Sequence, residues 1–169
     1  MKNNKNSRLP LEIERKYLIE YPNCDELCTK YTCTVSEIEQ TYLKNESGDE
    51  ERVRLRRTDG RNEYFHTVKS VITDIKRVEL ERSISASEYG LLLKNADSTR
   101  KTIKKTRYSL PYGGLCFEID IYPFWSDRAI MEVELESEDA HIEFPVGIRV
   151  IREVTGEKEF KNSYLALKG

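Results

Sequence analysis

The chain has 169 residues, of which 38% are hydrophobic and 34% charged, with a formal net charge of −2. That length suits one domain with its own core. The near balance of charge excludes the basic excess of a general nucleic-acid binder, and no apolar run approaches the roughly 20 residues that span a bilayer.

Met1 to Arg8 is polar, lacks an apolar signal segment and is expected to be a disordered arm on a cytoplasmic protein. Residues 9–169 are expected to form a single domain. Leu11 to Tyr17 alternates apolar and charged residues, as an extended strand does. Glu12, Glu14 and Lys16 share one face, with steps of about 7 Å between them. Leu11, Ile13, Arg15 and Tyr17 share the other. A charged row of this kind can simply be the wet side of a half-buried sheet. It gains meaning only if it recurs in other strands.

Pro22-Asn23 breaks the pattern, and Asp25 to Lys30 reads as a short helix. Cys24, Cys28 and Cys33 cluster here, with Cys116 far off; their spacing fits no common zinc knuckle, and reduced thiols are expected. Ser36 to Lys44 reads as a second strand and Glu51 to Arg57 as a third, with Arg52, Arg54 and Arg56 on one face. Asp59-Gly60 is a strong hairpin signal. The fourth strand, Asn62 to Ser70, carries Phe65, Thr67 and Lys69 on one side. Val71 to Ile75 connects to a fifth, Lys76 to Ile84, which aligns Arg77, Glu79 and Glu81.

Ser85 and Glu88 form a capping-box pattern, and a helix is expected to about Asn95. A sixth strand spans Arg100 to Leu110, with Ile103, Lys105 and Arg107 on one face. The seventh, Leu115 to Tyr122, sets Glu118 and Asp120 against Phe117, Ile119 and Ile121; the eighth, Ala129 to Glu136, sets Glu132 and Glu134 against Met131, Val133 and Leu135. Ser137 is expected to open a short helix with Glu138 and Asp139 in its first turn. Brief extension through Val150-Ile151 and a helix over Glu157 to Leu167 complete the reading. His66 and His141 fit no cluster and are expected on surfaces or loops, and Trp125 is expected to be a packing anchor.

Eight strands with hairpin-length turns can close into a barrel that holds a small ligand. The acids concentrate on some strands and the bases on others. A charged row facing water needs no such sorting. Pointing inward, it would line a wet cavity, with the apolar row packing on helices outside. Dry burial of so many unpaired ions would cost several kcal/mol each. A polyanion with divalent metal is the natural occupant, because Arg and Lys bind phosphoryl oxygens and Asp and Glu suit Mg²⁺ or Mn²⁺.

Glu12-Ile13-Glu14-Arg15-Lys16 resembles the ExExK signature of the CYTH superfamily, the triphosphate tunnel metalloenzymes. Arg54-Leu55-Arg56, Thr67-Val68-Lys69, Glu79-Leu80-Glu81, Lys105-Thr106-Arg107, Glu118-Ile119-Asp120, Glu132-Val133-Glu134 and the stretch from Glu153 to Lys158 follow in that family's order. The resemblance implies a mainly β (α+β) fold, a closed eight-stranded antiparallel β-barrel enclosing a tunnel, with a few helices packed outside. It implies metal ligation of Mg²⁺ or Mn²⁺, as two ions, by Glu12, Glu14, Asp120, Glu132 and Glu134. It implies substrate contacts from Lys16, Arg54, Arg56, Lys69, Lys105, Arg107 and Lys158. Catalytic parts are expected of Glu12, Glu14, Lys16 and Lys105. Tyr42 falls where the family's small bacterial inorganic triphosphatases have a tyrosine that closes one tunnel end; its alternative is a core aromatic. The function implied is metal-dependent hydrolysis of tripolyphosphate to pyrophosphate and phosphate, with no nucleic-acid or membrane partner and a homodimer left open. Alternatives are a class IV adenylyl cyclase, a thiamine or nucleoside triphosphatase, and a non-catalytic polyphosphate or nucleotide binder.

Overall fold

The computed structural model describes residues 11–73 and 76–168. The expected arm, Met1 to Arg8, and the end of the expected Val71–Ile75 connection lie outside them, as does the side chain of Arg77. Nine strands form one antiparallel sheet: β1 (Leu11–Glu20), β2 (Thr34–Tyr42), β3 (Glu50–Thr58), β4 (Arg61–Val71), β5 (Lys76–Ile84), β6 (Ile103–Tyr112), β7 (Leu115–Ile121), β8 (Arg128–Leu135) and β9 (Val150–Glu153). The helices are α1 (Cys24–Lys30), α2 (Ala86–Leu92) and α3 (Asn162–Lys168), with short 3-10 turns at Leu93–Asn95 and Lys158–Phe160.

The sheet order is β5-β4-β3-β2-β6-β7-β8-β1-β9. The expected closed eight-stranded barrel is therefore corrected to a nine-stranded curled sheet with β5 and β9 at the ends of the order. β1 runs alongside β8 over Ile13 to Glu20. Its other edge is divided: Leu11 to Ile13 meets β5, whereas Tyr17 to Ile19 is occupied by β9. The brief extension expected through Val150-Ile151 is the start of the ninth strand; at four residues, mostly exposed, it carries no alternation that would assign it to the sheet.

Hairpins set the registers. Asp59 and Gly60 both take positive φ, 50° and 75°, which a two-residue turn between twisted strands requires. Alternation then sends the charged rows of most strands onto the concave face; β2 is the exception, with Ile38, Gln40 and Tyr42 on that face. The outer rows of β1, β6, β7 and β8 form one core with Leu27 of α1. Residues 136–149 cover that core as turns and coil, where a helix from Ser137 is expected. Ala140, Ile142 and Phe144 pack on the core at every second position, and Phe144 lies edge-on to Tyr17 with ring centroids 5.0 Å apart. Period two is a strand-like pattern, and it overrides the acidic first turn.

A second core gathers Leu18, Tyr42, Ile103, Tyr122 and Ile130 under Val154, Phe160, Leu165 and Ala166, with Trp125 packed against it. A third sets Leu43, Val53 and Ile84 against α2 through Tyr89 and Leu92. α2 starts where expected, with the Glu88 amide donating to Ser85 Oγ at 3.1 Å. Among the described residues, no helix is long and apolar enough to cross a membrane.

Candidate active site

The concave face encloses a cavity of about 300 Å³. Its walls carry Glu12, Glu14 and Lys16 from β1; Ile38, Gln40 and Tyr42 from β2; Arg52, Arg54 and Arg56 from β3; and Lys69 from β4. Glu79 and Glu81 come from β5, Lys105 and Arg107 from β6, Glu118 from β7, and Glu132 and Glu134 from β8. Lys161, Asn162 and Ser163, at the start of α3, stop one end. Charged side chains from seven strands thus face one another across a shared space, with β2 contributing uncharged ones.

Register explains who meets whom. Ile38 of β2 lies between Arg56 and Lys105, and Gln40 lies beside Arg54. β3 and β6 therefore build a basic wall on either side of the uncharged concave row of β2. Opposite, Glu14 pairs with Glu134 and Lys16 with Glu132 across β1 and β8, and Glu132 is in turn opposite Glu118 of β7. Like charges directly opposite on adjacent strands destabilise a sheet. Two acidic pairs on one concave face therefore mark a place suited to positive charge.

The expected ligands divide into two kinds. Asp120 is fully buried and does not line the cavity; it accepts from Lys105 Nζ at 2.5 Å and from Arg107 Nε and Nη2 at 2.7 Å each. Glu132 accepts from Arg107 Nη2 at 2.9 Å and pairs with Lys16 Nζ at 2.7 Å. Burial opposes ionisation of Glu132, but Lys16, Arg107 and Lys105 outweigh it and hold its carboxyl well below the usual carboxylate range. Both acids hold bases in place. Glu12, Glu14 and Glu134 line the open space itself. Burial raises Glu12 to about 7; Lys69 opposes this shift, while Glu79 and Glu14 add to it. Burial also pushes Lys105 down to about 8, helped by Arg107 and resisted by Asp120 and Glu132.

On the basic wall, Arg54 makes a two-oxygen contact with Glu81 at 3.0 and 2.8 Å, and Arg56 pairs with Glu63 at 2.9 Å. Both guanidinium groups lie over the Phe65 ring, 5.2 and 4.8 Å from its centroid. Lys69 contacts Glu79 and lies 3.5 Å from Glu12. The buried Nε atoms of Arg52 and Arg54 have no hydrogen-bond partner among the described residues. Buried donors are rarely left so, and two of them on one wall suit an anion.

Lys158 is the expected substrate contact that the cavity does not include. It lines a neighbouring groove with Arg100, Asp97 and Asp49, and that groove shares Tyr42, Lys69 and Lys161 with the main cavity. Tyr42 therefore stands between the two spaces. It is 2% exposed, and its hydroxyl accepts from Gln40 Nε2 at 2.6 Å. Sequence reasoning gave no role to Arg52, Gln40 or Ser163. Arg52 was detectable as the residue two before Arg54 on the same face.

Among the described residues, no group of three or more His, Cys, Asp or Glu side chains converges as a ready metal site. The donor chemistry nonetheless fits a hard divalent ion: Glu12, Glu14 and Glu134 offer only carboxylate oxygens, and Glu14 faces Glu134 across the β1–β8 ladder. His66 stands apart, with Nε2 2.7 Å from Glu51 Oε1. Trp125 packs against Tyr122, Phe124 and Phe160.

Comparison with known proteins agrees with this architecture. The chain is 36% identical over 159 residues to a protein of Nitrosomonas europaea named inorganic triphosphatase, covering 92% of this chain and 97% of that one. A crystal structure described as the inorganic triphosphatase NE1496 superposes with a TM-score of 0.56 at 32% identity, covering 92% and 94% of the two chains. The PH1819 protein of Pyrococcus horikoshii OT3 shares the fold, with a TM-score of 0.59 at 20% identity over 76% and 80%. The CYTH domain model matches residues 10–165, nearly the whole chain, and this protein belongs to the CYTH domain family.

Proposed function

We propose that this protein hydrolyses tripolyphosphate to pyrophosphate and phosphate. The observation that carries the reading is one cavity in which Arg54, Arg56, Lys69 and Arg107 face Glu12, Glu14 and Glu134. A relative named inorganic triphosphatase, similar along nearly its full length, supports the choice of substrate.

The basic wall binds phosphoryl oxygens. Arg54 and Arg56 do so as flat donors stacked on Phe65, and Lys16, Lys69 and Lys105 as point charges. Glu12, Glu14 and Glu134 would hold Mg²⁺ or Mn²⁺, as two ions, which supply charge neutralisation and an activated water. Asp120 and Glu132 keep Lys105 and Arg107 in place. Water attacks the terminal phosphorus, and the bond to the bridging oxygen breaks. Glu12 takes the water's proton at a carboxylate oxygen. The Lys105 ammonium stabilises charge on the leaving pyrophosphate oxygen. Residues 9–169 act in this reading as one domain. The free cysteines Cys24, Cys28, Cys33 and Cys116 fit a reducing, cytoplasmic setting.

The test is a phosphate-release panel across tripolyphosphate, pyrophosphate, ATP and thiamine triphosphate, with Mg²⁺ and Mn²⁺ compared and EDTA as the blank. The expected result is turnover of tripolyphosphate above the others, abolished by EDTA. No release from tripolyphosphate with either metal would end the reading, and cyclic AMP formed from ATP would replace it with a cyclase.

A further inference from the structure

Arg52 lines the cavity but has no part in the reading above. It is the deepest of the three arginines on the concave face of β3: the side chains of Arg52, Arg54 and Arg56 are 8%, 12% and 35% exposed. Its cross-strand partners are Tyr42 and Thr67. It therefore lies one two-residue step, about 7 Å, beyond Arg54, at the end lined by Tyr42. Its ionic contact is a single long one, Nη2 to Glu79 Oε1 at 3.6 Å, and that carboxylate is also held by Lys69. Its buried Nε has no hydrogen-bond partner among the described residues. The Tyr42 hydroxyl also bonds this guanidinium; a guanidinium offers five donors, so the unpartnered Nε still leaves Arg52 donor capacity at the deep end. Arg54 and Arg56 are engaged at short range by Glu81 and Glu63, although Arg54 Nε also lacks a hydrogen-bond partner among the described residues.

We propose that Arg52 binds the terminal phosphoryl group of the polyphosphate at the Tyr42 end, and so favours a three-phosphoryl chain over a longer one. The inference rests on the triphosphatase reading. A terminal phosphoryl group carries more charge than an internal one and presents non-bridging oxygens that a guanidinium can grip in pairs. A longer chain puts a less charged internal phosphoryl group beside Arg52 and presses its own end against Tyr42. Position and chemistry thus select the same chain end.

Binding of tripolyphosphate and tetrapolyphosphate is measured by calorimetry in EDTA, and phosphate release from both is measured with Mg²⁺, for wild type, Arg52→Gln, Arg52→Lys and Arg52→Gln/Glu79→Gln. Arg52→Gln should weaken tripolyphosphate binding by about tenfold or more, raise KM more than it lowers kcat, and erase the preference over tetrapolyphosphate. Arg52→Lys, which keeps the charge and the fold but not the paired donors, should regain affinity without the preference. Tripolyphosphate binding by Arg52→Gln within about twofold of wild type would overturn the proposal. So would recovery of binding in the double variant, because Arg52 would then serve only to neutralise Glu79. If Arg52→Gln does not fold, an unchanged preference in Arg52→Lys overturns it equally. Wild-type protein that binds both chains but releases no phosphate would instead overturn the triphosphatase reading, and the calorimetric arms would still judge Arg52.

Discussion

Asp120 of β7 and Glu134 of β8 differ in place and in role, although one family pattern suggests the same duty for both. Asp120 is 0% exposed and accepts three bonds from Lys105 and Arg107. Glu134 lines the cavity on the exposed part of β8. Removing the charge from a buried, paired acid strands its partners, at a cost of about 3–5 kcal/mol. Asp120→Asn should therefore lower the melting temperature by roughly 10 °C, and metal binding by calorimetry should change little. Glu134→Gln should leave the melting temperature within a few degrees and abolish activation by Mg²⁺. If Glu134→Gln melts early while keeping its Mg²⁺ dependence, the two roles have been assigned the wrong way round. Arg54→Ala leaves β3 packed through Val53 and Leu55, which are 0% and 7% exposed. It should cost about a hundredfold in phosphate release from tripolyphosphate with the far-UV spectrum unchanged. Sequence alone could group these residues on one face. It could not separate Asp120 from Glu134, because a two-residue period says which side a carboxylate faces and nothing about how deep it lies.

At the scale of elements, strands were legible where alternation was strong, and elements packed on one edge were not. β7 sets Phe117 and Ile119, both 0% exposed, against Glu118 and Asp120, and its pattern alone places it. The Asp59-Gly60 turn fixes the β3–β4 register from two residues. The carboxy-terminal segment behaves otherwise. One helix was expected over Glu157 to Leu167, but the chain forms a 3-10 turn at Lys158–Phe160, straightens at Lys161, and restarts as α3. The break brings Phe160 into the core beside Tyr42 and Tyr122 and turns its carbonyl toward Lys16 Nζ at 3.5 Å. Tyr122, the residue after β7, donates to Asn162 Oδ1 at 2.6 Å, which ties the start of α3 to the end of that strand. Tertiary contact decides this geometry, so local propensity could not announce it. Phe160→Ala should destabilise the protein by about 3–5 kcal/mol and loosen the end of the cavity together with the core. Urea melts would show the first effect, and faster hydrogen exchange confined to residues 158–168 and the end of β1 would show the second. A large loss of stability without that local pattern would separate α3 from the site.

Taken as a whole, the molecule folds around charge that it has only partly neutralised, and this gives a stability that depends on pH and metal together. The sorting of acids and bases among strands was readable and pointed the charged rows inward; the pairing of the ninth strand and the divided edge of β1 were not. That edge matters because Glu12 sits where β1 meets β5 and Lys69 reaches across from β4. Burial holds Glu12 at about 7, against 4.5 for an ordinary glutamate, with Glu79 and Glu14 adding to the rise. Glu79 is shifted the other way: burial would raise it, but Lys69 prevails, with help from Glu12 and Arg52. For Glu12 the folded state binds the proton more tightly than the unfolded chain. Its contribution to stability therefore falls as pH rises from 4.5, and the loss is complete above about 7. Glu79 contributes in the opposite sense, and only as pH falls below the ordinary glutamate value. Between pH 6 and 8 the Glu12 step thus stands apart from it. Metal-free protein in EDTA should melt at a higher temperature at pH 6 than at pH 8. Glu12→Gln should remove most of that difference by raising the value at pH 8. Mg²⁺ takes the place of the proton on the carboxylates, so adding it should raise the wild-type melting temperature more at pH 8 than at pH 6. Thermal scans at the two pH values, with and without Mg²⁺, decide the matter. If Glu12→Gln retains the full pH difference, the proton resides on another group, and Glu12 loses its claim to be the site's base.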